Sequence, residues 1–180
     1  MAREPFLPPS GRLAKALPPD SLLERLEADH RRTFRLAGES LLVESNNQRV
    51  MTLADELFSR FGPAEEATGE PLTLRVLVHA PRGAAPLSPT PVFRTQAHLF
   101  TIVLGPHDSA AADVLRGYAF AVVSPALVGD GWRLQQQMMA ALTLGMLGPA
   151  RGYLPLHCAC LMRGGRGVLV HGPSGAGKST

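Results

Sequence analysis

Hydrophobic positions along the chain change period several times, and each change marks an element. Leu22, Leu23 and Leu26 fall on one helical face behind Ser21 and Glu24, a capping-box spacing that predicts a short helix running to about His30. Two short apolar runs, Thr33 to Leu36 and Ser40 to Ser45, flank Ala37-Gly38-Glu39 and read as a hairpin. Val50, Leu53, Ala54, Leu57, Phe58 and Phe61 then recur at helical spacing, so they form a core stripe that Gly62-Pro63 brings to a stop. Leu72, Leu74, Val76 and Val78 alternate with Thr73, Arg75 and His79, the signature of a half-buried strand.

A Pro-rich loop from Ala80 to Pro91 follows. Strand candidates come next at Val92 to Ala97, Leu99 to Leu104 and Tyr118 to Ser124, then a helix rich in Met and Leu from Trp132 to Leu147. The fold class implied is α/β: an α+β N-terminal part with a mixed or antiparallel sheet, then a second unit. The break at Gly148-Pro149-Ala150-Arg151-Gly152 divides the chain into a Pro-rich arm (1–19), an α+β domain (20–150) and the start of another domain (151–180). The arm carries few large apolar groups and is expected to be mobile.

Composition narrows the functional classes. The chain of 180 residues is 45% hydrophobic and 18% charged, enough to bury a core. Its net charge of +3 comes largely from scattered arginines, with no basic stripe, which argues against nucleic acid as a partner. Arg31-Arg32 reads as a solvated helix end rather than a phosphate contact. Cys158 and Cys160 are too few and too close for a disulfide framework and lack the spacing of a redox motif, so the expected compartment is the cytoplasm. The apolar stretch from Met138 to Leu147 is shorter than the roughly 20 residues a bilayer requires, and no signal peptide is evident, so no membrane partner is expected.

The last segment carries the chemistry. Leu154, Leu156, Cys158, Cys160 and Met162 fall on one face of a predicted strand, with His157, Ala159 and Leu161 on the other, which makes the cysteines core thiols. Arg163-Gly164-Gly165-Arg166 reads as a tight turn, returning the chain through Gly167-Val168-Leu169-Val170-His171. That strand runs into Gly172-Pro173-Ser174-Gly175-Ala176-Gly177-Lys178-Ser179-Thr180, the full pattern of a P-loop. Glycines let successive N–H groups turn inward to cradle a β-phosphate, Lys178 brings a point charge to the β- and γ-phosphates, and Ser179 offers a hydroxyl to Mg²⁺. The implied ligands are ATP and Mg²⁺.

The hairpin ahead of the loop resembles the catalytic domain of the HPr kinase/phosphorylase family, whose fold is related to phosphoenolpyruvate carboxykinase. The matching elements are His157-Cys158-Ala159-Cys160, Gly165-Arg166-Gly167-Val168-Leu169 and the loop itself, within about Leu154 to Thr180. The resemblance implies an ATP-dependent kinase that phosphorylates a hydroxyl, either a serine on a small carrier protein or peptide or, equally open, a small molecule. It also implies that His157 sits near the transferred phosphate; a histidine satisfied within a sheet is the other reading. Thr180 stands where the bacterial enzymes often have Glu, which brings the chain closer to HPr-kinase-related proteins than to that enzyme.

The family supplies its second acidic metal ligand and its base after the P-loop, and no residue stands there in this chain. The expectation is a truncated parent kinase whose 180-residue product binds ATP weakly and transfers no phosphate, with Val168, Leu169 and Val170 left uncovered. A transport-type P-loop ATPase and a non-catalytic remnant acting through residues 20–150 are the alternatives. A homo-oligomer stays open.

Overall fold

Two strand periods and one helical stripe account for most of the architecture in the computed structural model, which describes residues 27–61, 70–79, 86–88, 90–154, 156 and 158–172. The strands are β1 (His30–Leu36), β2 (Glu39–Ser45), β3 (Leu72–Val78), β4 (Val92–Gln96), β5 (Leu99–Gly105), β6 (Asp108–Asp113) and β7 (Tyr118–Val123). They form one mixed seven-stranded sheet in the order β1-β2-β3-β7-β6-β5-β4. The fold is therefore mixed α/β.

β1 and β2 pair antiparallel around a turn in which Ala37 and Gly38 take φ of 51° and 90°. α1 (Gln48–Phe58) then crosses over to β3, which lies parallel to β2. β4 to β7 form an antiparallel meander that returns β7 to the free side of β3, again parallel.

α1 starts where Asn47 caps it, its side chain accepting from Arg49 N at 2.9 Å and Val50 N at 3.4 Å. Its stripe of Val50, Leu53, Ala54, Leu57 and Phe58 is buried as the periodicity implies. Phe61 is not part of that core: it lies in the 3₁₀ turn Ser59–Phe61, half exposed, with the Arg60 guanidinium 5.2 Å from its ring centre. The core face of the sheet presents Leu41 and Val43, Leu72, Leu74 and Val76, and Ile102 and Leu104, against the helices. Between them Ala110, Ala112, Ala119 and Ala121 keep β6 and β7 shallow, which leaves room for a helix to lie across them.

That helix comprises α3 (Gly131–Arg133), a π-helical stretch Leu134–Ala140 and α4 (Ala141–Arg151), preceded by the short α2 (Pro125–Gly129). It extends the expected Trp132 to Leu147 at both ends. Gly148-Pro149 does not break it. Pro149 lies in the last turn, and the helix closes when Gly152, at φ 75°, returns its N–H to Gly148 O at 2.7 Å. The expected division of the chain near Gly148 thus falls inside a helical turn.

Two buried polar side chains set the start of α2. Asp108 Oδ1 accepts from Ser124 N at 2.7 Å, and Ser124 Oγ in turn accepts from Leu127 N at 3.3 Å to cap α2. No helix among the described residues is long and apolar enough to cross a membrane.

Two further expectations are corrected, and one strand is added. The helix ending near His30 does not reach that far, since Glu27 to Asp29 are irregular and His30 already opens β1; residues 21–26 lie outside the described residues. Arg31 and Arg32 consequently sit on a strand, not at a helix end. β6 went unpredicted.

Candidate nucleotide-binding site

The segment that leads to the loop forms a separate two-stranded sheet, β8 (Ala159–Arg163) and β9 (Arg166–Val170). The two strands pair antiparallel, from Ala159 opposite Val170 to Arg163 opposite Arg166. The turn holds two residues, Gly164 at φ 55° and Gly165 at φ 75°. Positive φ at both central positions is the type I′ geometry whose twist matches a hairpin, and glycine adopts it without a Cβ penalty. The tight turn expected from Arg163-Gly-Gly-Arg166 is therefore present.

The strand ahead of the turn is shorter than expected. It begins at Ala159, so Leu154, Leu156 and Cys158 are not on a strand face with Cys160 and Met162. The cysteines are not core thiols: Cys158 is half-buried, with its Sγ 3.8 Å from Leu156 O, and Cys160 is exposed. The physical reason is that nothing described packs on this sheet. Leu161, Met162, Val168 and Leu169 are 65%, 74%, 63% and 56% exposed. Alternation located the two faces of the ribbon but not whether either is covered.

Of the residues assigned to phosphate, Gly172 is described: it is half-buried and follows β9 after His171. His157, Pro173, Ser174, Gly175, Ala176, Gly177, Lys178, Ser179 and Thr180 lie outside the described residues. What the fold does place is the approach. β9 is apolar through Val168, Leu169 and Val170, takes its register from β8, and delivers the chain to Gly172.

A second place where cations gather is a cleft of about 240 Å³ between the start of β1 and the start of α1, lined by Asp29, His30, Arg31, Arg32, Gln48 and Met51. Its arginines are already engaged. Arg31 Nε is 3.0 Å from Glu44 Oε1, and Arg32 is paired with Asp55. Exposed pairs of this kind contribute little stability, but each guanidinium already faces a carboxylate.

The feature that sequence reasoning left without a role is the pair Arg163 and Arg166. Their facing arrangement follows directly from a turn of two residues, so the signal was present in the spacing.

Comparison with known proteins finds no matching family model, no matching curated protein and no matching solved structure.

Proposed function

We propose that the protein is an ATP-dependent kinase of the HPr kinase type, acting in the cytoplasm and passing the γ-phosphate of ATP to a hydroxyl. The acceptor is a serine of a small carrier protein or peptide, or a small molecule. The observation that supports the reading is an order of elements: a short strand, a tight Gly-Gly turn, and an apolar strand ending at Val170, one residue before a complete P-loop sequence. A P-loop has chemical meaning only when a strand feeds it, and β9 meets that condition. The hairpin in front of the strand is what favours a kinase of this type over a transport ATPase.

The donor set suits magnesium and a polyphosphate. Gly172, Gly175 and Gly177 permit a nest of inward N–H groups, which binds anionic oxygen through several weak partial charges at once. Lys178 adds the one full positive charge of the loop. Ser179 would be the protein's ligand to Mg²⁺, a hard cation that takes oxygen donors and, when bound, neutralises charge shared between the β- and γ-phosphates. His157, which the family resemblance sets near the transferred phosphate, would offer it an imidazole hydrogen bond.

The test is a titration of the full chain with a fluorescent ATP analogue. Binding is expected to require magnesium, to be competed by ATP, and to weaken about tenfold or more in Lys178→Ala, a loss of roughly 1.4 kcal/mol. Ser179→Ala is expected to lower affinity only when magnesium is present. Binding that ignores both substitutions contradicts the proposal.

A further inference from the structure

The tip of the β8–β9 hairpin carries two positive charges that no described carboxylate neutralises. Arg163 and Arg166 are register partners across the turn, so both side chains leave the same face of the ribbon from Cα atoms about 5.5 Å apart. Like charges directly opposite on a ladder repel. Several arginines elsewhere are paired with carboxylates, Arg31 with Glu44, Arg49 with Glu56, Arg116 with Asp113 and Arg151 with Glu39. Among the described residues the Arg163 and Arg166 side chains have no ion pair or hydrogen bond, and both residues are exposed.

Immediately behind them on the same face, Leu161 and Val168 stand opposite each other and exposed. Two guanidinium groups cannot enter an apolar interior without an anion, because burying an unpaired charge is strongly unfavourable. Whatever covers the strands, the tip must either stay in water or meet carboxylates or phosphates.

The geometry points to this tip as a docking surface for an acidic polypeptide segment, with carboxylates on Arg163 and Arg166 and a neighbouring apolar side chain on Leu161 and Val168. Arginine presents a planar fork that receives a carboxylate bidentately, and two forks held at ladder spacing receive two carboxylates on alternate residues of an extended segment. A nucleic acid fits less well: the residues flanking the pair along the strands are Leu161, Met162, Gly167 and Val168, and a backbone of phosphates is tracked by a longer basic stripe. A second copy fits less well too, since a two-fold contact would bring the same pair of cations together in a chain whose net charge is already +3.

The tip is distinct from the point where β9 hands the chain on to Gly172. β9 runs away from the tip for five residues before the loop begins, a separation of roughly 17 Å at strand rise. The inference therefore does not rest on the kinase reading.

The experiment is fluorescence anisotropy of the full chain at low salt with a labelled peptide of alternating Glu and Leu, beside a twin carrying Gln for Glu. The Glu peptide is expected to bind, the Gln peptide about tenfold more weakly or not at all. The double variant Arg163→Gln/Arg166→Gln is expected to lose about tenfold in affinity, and Arg163→Lys/Arg166→Lys to recover part of it. Arg94→Gln, which removes one exposed charge from β4, is expected to leave binding unchanged. All these side chains are exposed, and a thermal melt checks that the variants remain folded. No binding of the Glu peptide, equal binding by Arg163→Gln/Arg166→Gln, an equal loss in Arg94→Gln, or tighter binding of a labelled DNA duplex through the same two arginines overturns the proposal.

Discussion

Arg151 Nε donates to Glu39 Oε2 over 2.9 Å, joining the last residue of α4 to the first residue of β2. The same guanidinium reaches Glu70 O at 2.5 Å, and the Tyr153 hydroxyl donates to Ala37 O at 2.6 Å. Three contacts thus fix the chain to the β1–β2 turn and to the approach to β3 just before it leaves for the hairpin.

Because Arg151 serves three acceptors from one planar fork, Glu39 Oε2, Glu70 O and Ala150 O, Arg151→Ala is expected to lower stability by about 1–2 kcal/mol. Arg151→Lys is expected to restore only part of this, since an ammonium on a flexible stem does not reproduce the fork. Tyr153→Phe should cost less, about 1 kcal/mol or below, because its hydroxyl can bond to water in the unfolded chain. Urea midpoints for the three variants give the order, and an unchanged midpoint for Arg151→Ala contradicts it.

Asn46 continues the β2–β3 pairing beyond the end of β2 with its side chain. Its Oδ1 accepts from Val78 N at 2.8 Å and its Nδ2 donates to Val78 O at 3.0 Å, so one amide imitates a backbone partner. Asn46→Ala is expected to cost about 1–3 kcal/mol by leaving both backbone groups without that partner. Asn46→Asp keeps the acceptor but sets a carboxylate against the Val78 carbonyl, and should be no more stable than the alanine variant at neutral pH. Full stability in Asn46→Asp would show that the donor half of the pair contributes nothing.

Two glycines separate conformational strain from steric conflict. Gly38, at φ 90°, has open space around an added Cβ, so Gly38→Ala should cost only the backbone term, about 1–2 kcal/mol. Gly117, at φ 69°, would place a Cβ 2.5 Å from Leu72 Cδ2, and Leu72 is fully buried in the core. Gly117→Ala therefore adds an overpacking term of about 1–3 kcal/mol to the same strain. Thermal melts should rank Gly117→Ala well below Gly38→Ala; equal melting temperatures would mean that the core around Leu72 yields freely.

The sequence carried β1 to β5, β7 and the stripe of α1 because each has a strong period: alternation in Leu72 to Val78, helical spacing from Val50 to Phe58. It concealed β6, where Ala110, Ala111 and Ala112 lack the β-branched or aromatic side chains that mark a strand. Ala110 and Ala112 suit the strand for a tertiary reason, the close approach of α4, which no local pattern reveals, while Ala111 lies on the exposed face. The long-range parallel pairings of β3 with β2 and β7 were hidden likewise. At the candidate site, the turn at Gly164-Gly165 was legible because its backbone demands glycine, whereas the exposure of Cys160 was not, since period two sorts residues onto faces without saying which face is covered.

The central claim is that residues 172–180 hold the phosphates of ATP, and amide NMR of the full chain tests it most directly. On adding ATP with magnesium, the N–H resonances of Gly172, Gly175 and Gly177 should shift together with Lys178 and Ser179, and Lys178→Ala should abolish those shifts. Shifts confined to other parts of the chain, or loop shifts that persist in Lys178→Ala, would contradict the assignment of this segment as a phosphate-binding loop.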